Sequence, residues 1–176
     1  VNNLIIRMPK VISSHRCILE KYPRPSRDAS AFIFKGVIDN IKLHAECGKI
    51  VDQEVMGLII GSVCTDMIGD YIWATETVTS SLDADRVSVR FKEDSLEDMF
   101  KLLSDLPERR IVGWYHSHLG EGSRLSQDDI LMQERLYGND PGFALIVDPV
   151  NSTIDIFSVK DGKVQKTHAA ILEPDD

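Results

Sequence analysis

The sequence predicts an α+β domain, a mixed β-sheet with helices packed on it. Three observations predict it. Residues 55–63 form an almost continuous apolar run, the pattern of a strand covered on both faces. Shorter runs rich in β-branched and aromatic residues recur at 31–34, 71–78, 87–91, 111–116, 143–147 and 153–159. Between them, apolar residues fall at helical spacing over 36–48, over 95–106 and from 126 to about 137, and this order of elements gives a sheet with packed helices.

Taken in chain order, the first thirty residues stand apart. Two short apolar pieces, 4–6 and 11–12, are followed by Tyr22-Pro23-Arg24-Pro25-Ser26-Arg27-Asp28, whose prolines and charges mark a linker or extended loop outside the main core. Over 36–48, Val37, Ile38, Ile41 and Ala45 share one helix face, and Gly48 supplies a C-terminal stop. The strands 71–78 and 87–91 are separated by the polar stretch 79–86. Leu96, Met99, Phe100 and Leu103 form the stripe of the next helix, which Ser95 caps. A strand over 111–116 leads into the glycine-bearing loop 119–125 and a helix that stops at Gly138-Asn139-Asp140-Pro141. The last two strands flank the turn Asp148-Pro149-Val150-Asn151-Ser152. The expected division is an N-terminal extension over 1–30, the main domain over 31–165 and a C-terminal tail over 166–176.

At 176 residues the chain is long enough for one domain with a full core. Its formal charge of −8 and isoelectric point near 5.1 argue against a nucleic-acid partner, because such affinity rests on Lys and Arg neutralising phosphates. No apolar run approaches the ~20 residues of a membrane span, so no membrane association is expected and the expected location is cytoplasmic. Cys17, Cys47 and Cys64 are odd in number and lack any Cys-x-x-Cys spacing, which argues against a disulfide framework. His15 with Cys17 and His44 with Cys47 have no further ligands at metal-site spacing.

The chemistry concentrates elsewhere. His116, Ser117 and His118 read His-x-His on a strand, where residues two apart point to the same face and two imidazoles converge. Two buried rings on one face need two sets of partners, at ~1–3 kcal/mol for each unsatisfied group, and a metal ion satisfies both. Asp129 follows eleven positions after His118, and Ser126 with Asp129 also reads as an N-capping pair. The same Ser-x-x-Asp spacing recurs at Ser80, Ser95 and Ser152, so only its place after the His-x-His loop gives it weight. Two nitrogens and one carboxylate oxygen leave a fourth tetrahedral position open, as in a catalytic zinc site. Glu54, at the head of the apolar run, is the candidate general base.

Glu54 with the following Met56-Gly57, then Gly113-Trp114-Tyr115-His116-Ser117-His118 and Ser126-x-x-Asp129, resemble the motif of the JAMM (MPN-plus) zinc isopeptidases, with the nearest likeness to the proteasome-lid deubiquitinase and the signalosome deneddylase subunits. Asp148-Pro149-Val150 and Ile41-Lys42-x-His44-Ala45 extend the likeness over roughly residues 32–160. The resemblance implies a curved mixed sheet of the cytidine-deaminase-like sandwich type. It implies that His116, His118 and Asp129 hold Zn2+, that Glu54 moves the proton from water to the leaving lysine amine, and that Ser126 donates to the oxyanion. The implied partners are ubiquitin or ubiquitin-like modifier conjugates, with the proteasome or another MPN-domain protein as assembly context. A non-catalytic MPN scaffold is the alternative, and such relatives typically lack a ligand or the glutamate. The chain departs from close relatives at Leu119, where they carry proline, and at Ser123-Arg124, where they carry Cys-Trp. A cation thereby replaces an aromatic wall along the groove expected for the modifier's tail.

Overall fold

The computed structural model describes residues 23–80, 82–92 and 109–173. The helix expected over 95–106 lies outside the described residues. In order, the elements are β1 (Ala31–Phe34), α1 (Lys35–Ile50), β2 (Met56–Thr65), β3 (Asp70–Val78), β4 (Leu82–Ala84), β5 (Val89–Phe91), β6 (Arg110–Ser117), α2 (Gln127–Leu136), β7 (Phe143–Asp148), β8 (Thr153–Lys160), β9 (Lys163–Lys166) and β10 (Ala169–Leu172). Eight strands form one sheet in the order β10-β1-β3-β2-β6-β7-β8-β9, and β4 pairs with β5 apart from it. Pairing is parallel across β10-β1-β3 and β6-β7 and antiparallel elsewhere in the sheet, so the α+β class with a mixed sheet is what the chain adopts.

β2 lies inside the sheet and is buried from Met56 to Ser62, which is why its sequence is apolar without alternation. Its register slips against β6 between Ile59 and Ile60 and against β3 between Ile60 and Gly61. Such bulges bend a strand and curl its sheet. At Gly61 a Cβ would lie 1.8 Å from the carbonyl oxygen of Trp73, so only glycine fits the bend. Gly61→Ala is therefore expected to cost about 3 kcal/mol, since backbone on both sides must shift. Urea unfolding checks this, and a loss below about 0.5 kcal/mol, the level of an ordinary surface change, contradicts it.

Helices cover both faces. Val37, Ile41 and Ala45 of α1 pack with Val55, Ile59, Ala74, Val112, Tyr115 and Leu145. On the other face Leu58, Ile60, Trp114, Ala144 and Ile146 receive Met132 and Leu136 of α2. Strand alternation thus turns Tyr115 toward α1 and its neighbours Trp114 and His116 toward α2. α1 runs two residues past the expected stop at Gly48. Gly48 stays helical because the chain returns tightly against it, with a Cβ there meeting both Gln53 and Val55 at 2.6 Å. The left-handed residue that turns the chain is Asp52, at φ 54°.

Three segments carry more order than their composition suggests. The polar stretch 79–86 contains β4, and its hairpin turn is held by the Asp85 carboxylate, which accepts from Val87 N at 2.8 Å and Ser88 N at 2.9 Å. Residues 163–166 and 169–172 supply the two outer strands, the first fully exposed and lysine-flanked, which guards its open edge. The Pro-rich segment is tied to the β2–β3 turn by Arg24. Its guanidinium bonds to Asp66 at 2.7 Å and Gly69 O at 2.8 Å and lies 4.3 Å from the centre of the Tyr71 ring. Cys47 and Cys64 are free thiols. No helix among the described residues is long and apolar enough to cross a membrane.

Candidate metal centre

The site is built where β6 ends beside the start of β2. Antiparallel pairing sets Met56 opposite His116. Just beyond it, Ser117 N donates to Val55 O at 2.8 Å and Val55 N donates to the Ser117 hydroxyl at 2.8 Å. Ser117 faces away from the two imidazoles, as strand alternation requires, and clamps the residue next to Glu54. The Glu54 amide itself donates to Asp85 O at 2.7 Å, in the turn of the β4–β5 hairpin. With its backbone held from both sides, the Glu54 side chain is directed inward and only 3% exposed.

All five residues singled out from the sequence come together. Glu54 Oε2 lies 3.0 Å from His116 Nε2, and Asp129 Oδ1 lies 3.0 Å from His116 Nδ1. His118 Nε2 is 3.7 Å from Asp129 Oδ2, and the two rings meet edge to face with centroids 4.9 Å apart. Glu54, His116 and His118 each offer a ligand atom within 4.8 Å of the others. Asp129 reaches them from the first turn of α2. Ser126 caps that helix, accepting from Asp129 N at 3.2 Å while Asp129 Oδ2 accepts from Ser126 N at 2.8 Å and from the Ser126 hydroxyl at 2.6 Å. The capping box therefore holds Asp129 toward the histidines, so cap and site share the same atoms. α2 is fixed in turn by Gln133, which accepts from the Trp114 indole at 2.7 Å.

The electrostatics follow from burial. Desolvation alone would pull His116 down, but its hydrogen bonds to Asp129 and Glu54 and their charges prevail, pushing it up to about 9. Burial likewise opposes the charge on Asp129, yet the bonds from His116 and His118 hold its carboxyl well below the usual carboxylate range. Two buried carboxylates facing two imidazoles form a concentration of donors that a divalent cation neutralises, and nitrogen with carboxylate oxygen is a donor set that zinc accepts. The residues present therefore fit the ion.

Two supporting residues were not read from the sequence. In the sequence Ser117 is the spacer of His-x-His, although its opposite facing follows from alternation. In the sequence Asp148 stands as the first residue of the turn 148–152 and of Asp-Pro-Val, and the Asp-Pro-x-Asn pattern, in which an aspartate bonds the backbone two and three residues on, signals its turn but not its hold on the loop after His118. Leu119 is buried. Arg124 is exposed and pairs with Glu121 at 3.3 Å.

The family model described as JAB1/Mov34/MPN/PAD-1 ubiquitin protease matches residues 30–141. Among curated relatives, the COP9 signalosome complex subunit 5 of Candida albicans is 32% identical over 126 residues, covering 69% of this chain and 19% of its own length. Ubiquitin carboxyl-terminal hydrolase RPN11 of Saccharomyces cerevisiae is 31% identical over 130 residues, 67% of this chain and 40% of that one. The chain thus spans well under half of these relatives. The solution structure of protein DSY2949 from Desulfitobacterium hafniense aligns over 82% of this chain and 94% of its own with a TM-score of 0.59, at 21% identity, a likeness of fold.

Proposed function

Because the chain belongs to the JAB1/Mov34/MPN/PAD-1 family, we propose that it is a zinc-dependent isopeptidase that removes ubiquitin or a ubiquitin-like modifier from lysine conjugates. One observation carries the reading. Glu54, 62 residues from His116 in sequence, is buried 3.0 Å from its ring, beside the donor set of a metal. In an MPN scaffold without catalysis Glu54 would serve only as a buried partner of His116, whereas an isopeptidase gives the same carboxylate a proton to carry.

His116, His118 and Asp129 would hold the ion, which when bound supplies Lewis-acid polarisation of the scissile carbonyl and activation of water. The chain's own groups do the rest. Glu54 takes the proton of the attacking water on its carboxylate and delivers it to the lysine nitrogen as the carbon–nitrogen bond breaks, so the base becomes the acid within one turnover. The Ser126 hydroxyl, which donates to Asp129 in this structure, turns to donate to the oxygen that gains charge. Asp129 then keeps the Ser126 amide as its partner. The assembly context supported by the relatives' names is a multisubunit complex of the signalosome or proteasome kind.

The test is release of free modifier from a lysine-linked conjugate by the zinc-loaded protein. A sharper version uses Ser126→Ala, which has two separable effects. Loss of the cap is expected to cost about 1 kcal/mol of stability, and loss of the oxyanion donor to lower kcat ~10²–10³-fold. Stability loss without a rate defect would reduce Ser126 to a helix cap.

A further inference from the structure

Loop 119–122 follows His118 directly and has no strand or helix to define it. It is defined instead by a buried carboxylate from the end of β7. Asp148 is 0% exposed, and its hydrogen bonds go to the loop and the β7–β8 turn, not to a candidate ligand. Its Oδ1 accepts from Val150 N at 2.9 Å and Asn151 N at 3.1 Å, closing the β7–β8 turn, and from Gly120 N at 3.2 Å. Its Oδ2 accepts from Gly122 N at 2.6 Å, Gly120 N at 3.1 Å and Asn151 Nδ2 at 2.8 Å. Both glycines adopt left-handed backbone, φ 107° and 81°, which turns their N–H groups onto the one carboxylate. The next link is the informative one. The carbonyl of Gly122, the residue so gripped, lies 3.0 Å from His118 Nδ1.

A carbonyl only accepts, so His118 Nδ1 must carry the proton and Nε2 is left as the nitrogen that faces Asp129. Ligating histidines are oriented in this way by the partner of their other nitrogen. We infer that Asp148 is a positioning residue for His118: by fixing Gly120 and Gly122 it places the Gly122 carbonyl that selects the ring's tautomer and aims Nε2 into the site. This rests on the zinc reading only for its consequence, since the tautomer itself belongs to the protein alone.

Three variants separate positioning from plain stability. Asp148→Asn retains one acceptor oxygen and so cannot serve both the turn and the glycine loop. Gly122→Ala leaves Asp148 untouched and meets no atom within 4 Å, but strains the left-handed backbone that presents the carbonyl. Asn151→Ala removes one side-chain bond to Asp148 Oδ2 but none of the backbone bonds by which Asp148 holds Gly120 and Gly122. The readouts are the 15N signature of the His118 ring in metal-free protein at alkaline pH, and calorimetric titration with Zn2+. Asp148→Asn and Gly122→Ala should shift His118 from the Nδ1–H toward the Nε2–H form and weaken Zn2+ binding about tenfold, at the lower end for groups that orient a ligand. Asn151→Ala should lower the melting temperature while leaving both readouts unchanged. If Asp148→Asn does not fold, Gly122→Ala carries the test. An unchanged tautomer in both loop variants, or a Zn2+ loss in Asn151→Ala as large as theirs, overturns the inference. Failure of the unaltered protein to bind Zn2+ would overturn the zinc reading instead, while the tautomer comparison would still decide the role of Asp148.

Discussion

Glu54→Gln is expected to fold, to bind zinc and to lose turnover by ~10²–10⁴-fold, the range associated with a general base. Glutamine fills the same buried space and still presents an oxygen or an N–H to His116 Nε2, which lies 3.0 Å from the carboxylate. What it cannot do is accept the proton of the attacking water. Because substrate contacts are kept, the loss should appear in kcat with KM little changed, the pattern of a group that acts in the transition state. The variant should also retain uncleaved conjugate long enough for the complex to be isolated. Near-normal turnover would remove Glu54 from the mechanism, and loss of zinc together with turnover would make it a ligand and not a base.

Asp129→Ala is expected to bind zinc at least ~100-fold more weakly, more than the loss of an orienting partner produces. Asp129 contributes one side chain to two tasks, and the structure allows them to be weighed. As the third residue of α2 and the partner of Ser126 in its capping box it accepts from Ser126, worth about 1 kcal/mol. The helix remains anchored without it through Met132 and Leu136 and through the bond between Gln133 and Trp114. The protein should therefore stay folded with a small fall in melting temperature. Asp128→Ala is the control, since that residue is exposed in the same first turn and faces no imidazole. It should leave zinc affinity unchanged. Full-affinity zinc in Asp129→Ala would mean that the ligand set is wrongly assigned.

What could be read in the sequence depended on whether its cause was local. The His-x-His pair announces itself because strand periodicity acts over two residues, and the Ser126 cap because helix ends are closed within one turn. The face of α1 was legible from Val37, Ile41 and Ala45 for the same reason. Glu54 was visible as a residue, but its approach to His116 depends on antiparallel pairing of β2 with β6 and on the Ser117 clamp. β10 has four residues of weak strand character, and its place is set by parallel pairing with β1, far away in the chain. β4 and β9 are short and owe their order to the Asp85-held turn and to the edge of β8. Asp148 looked like a turn former and is one; that its second oxygen also shapes the loop behind His118 is a tertiary fact.

The central claim is that the Glu54, His116, His118 and Asp129 cluster hydrolyses modifier–lysine isopeptide bonds with zinc. It is tested most directly by incubating zinc-loaded protein with lysine-linked ubiquitin and ubiquitin-like conjugates, with and without a chelator, and then restoring Zn2+. The expected result is release of intact modifier from at least one conjugate class, abolished by the chelator, recovered on adding Zn2+, and missing in Glu54→Gln. Cleavage that persists in chelator-treated protein shown to be zinc-free, or no cleavage by protein that demonstrably holds one zinc per chain, would contradict it.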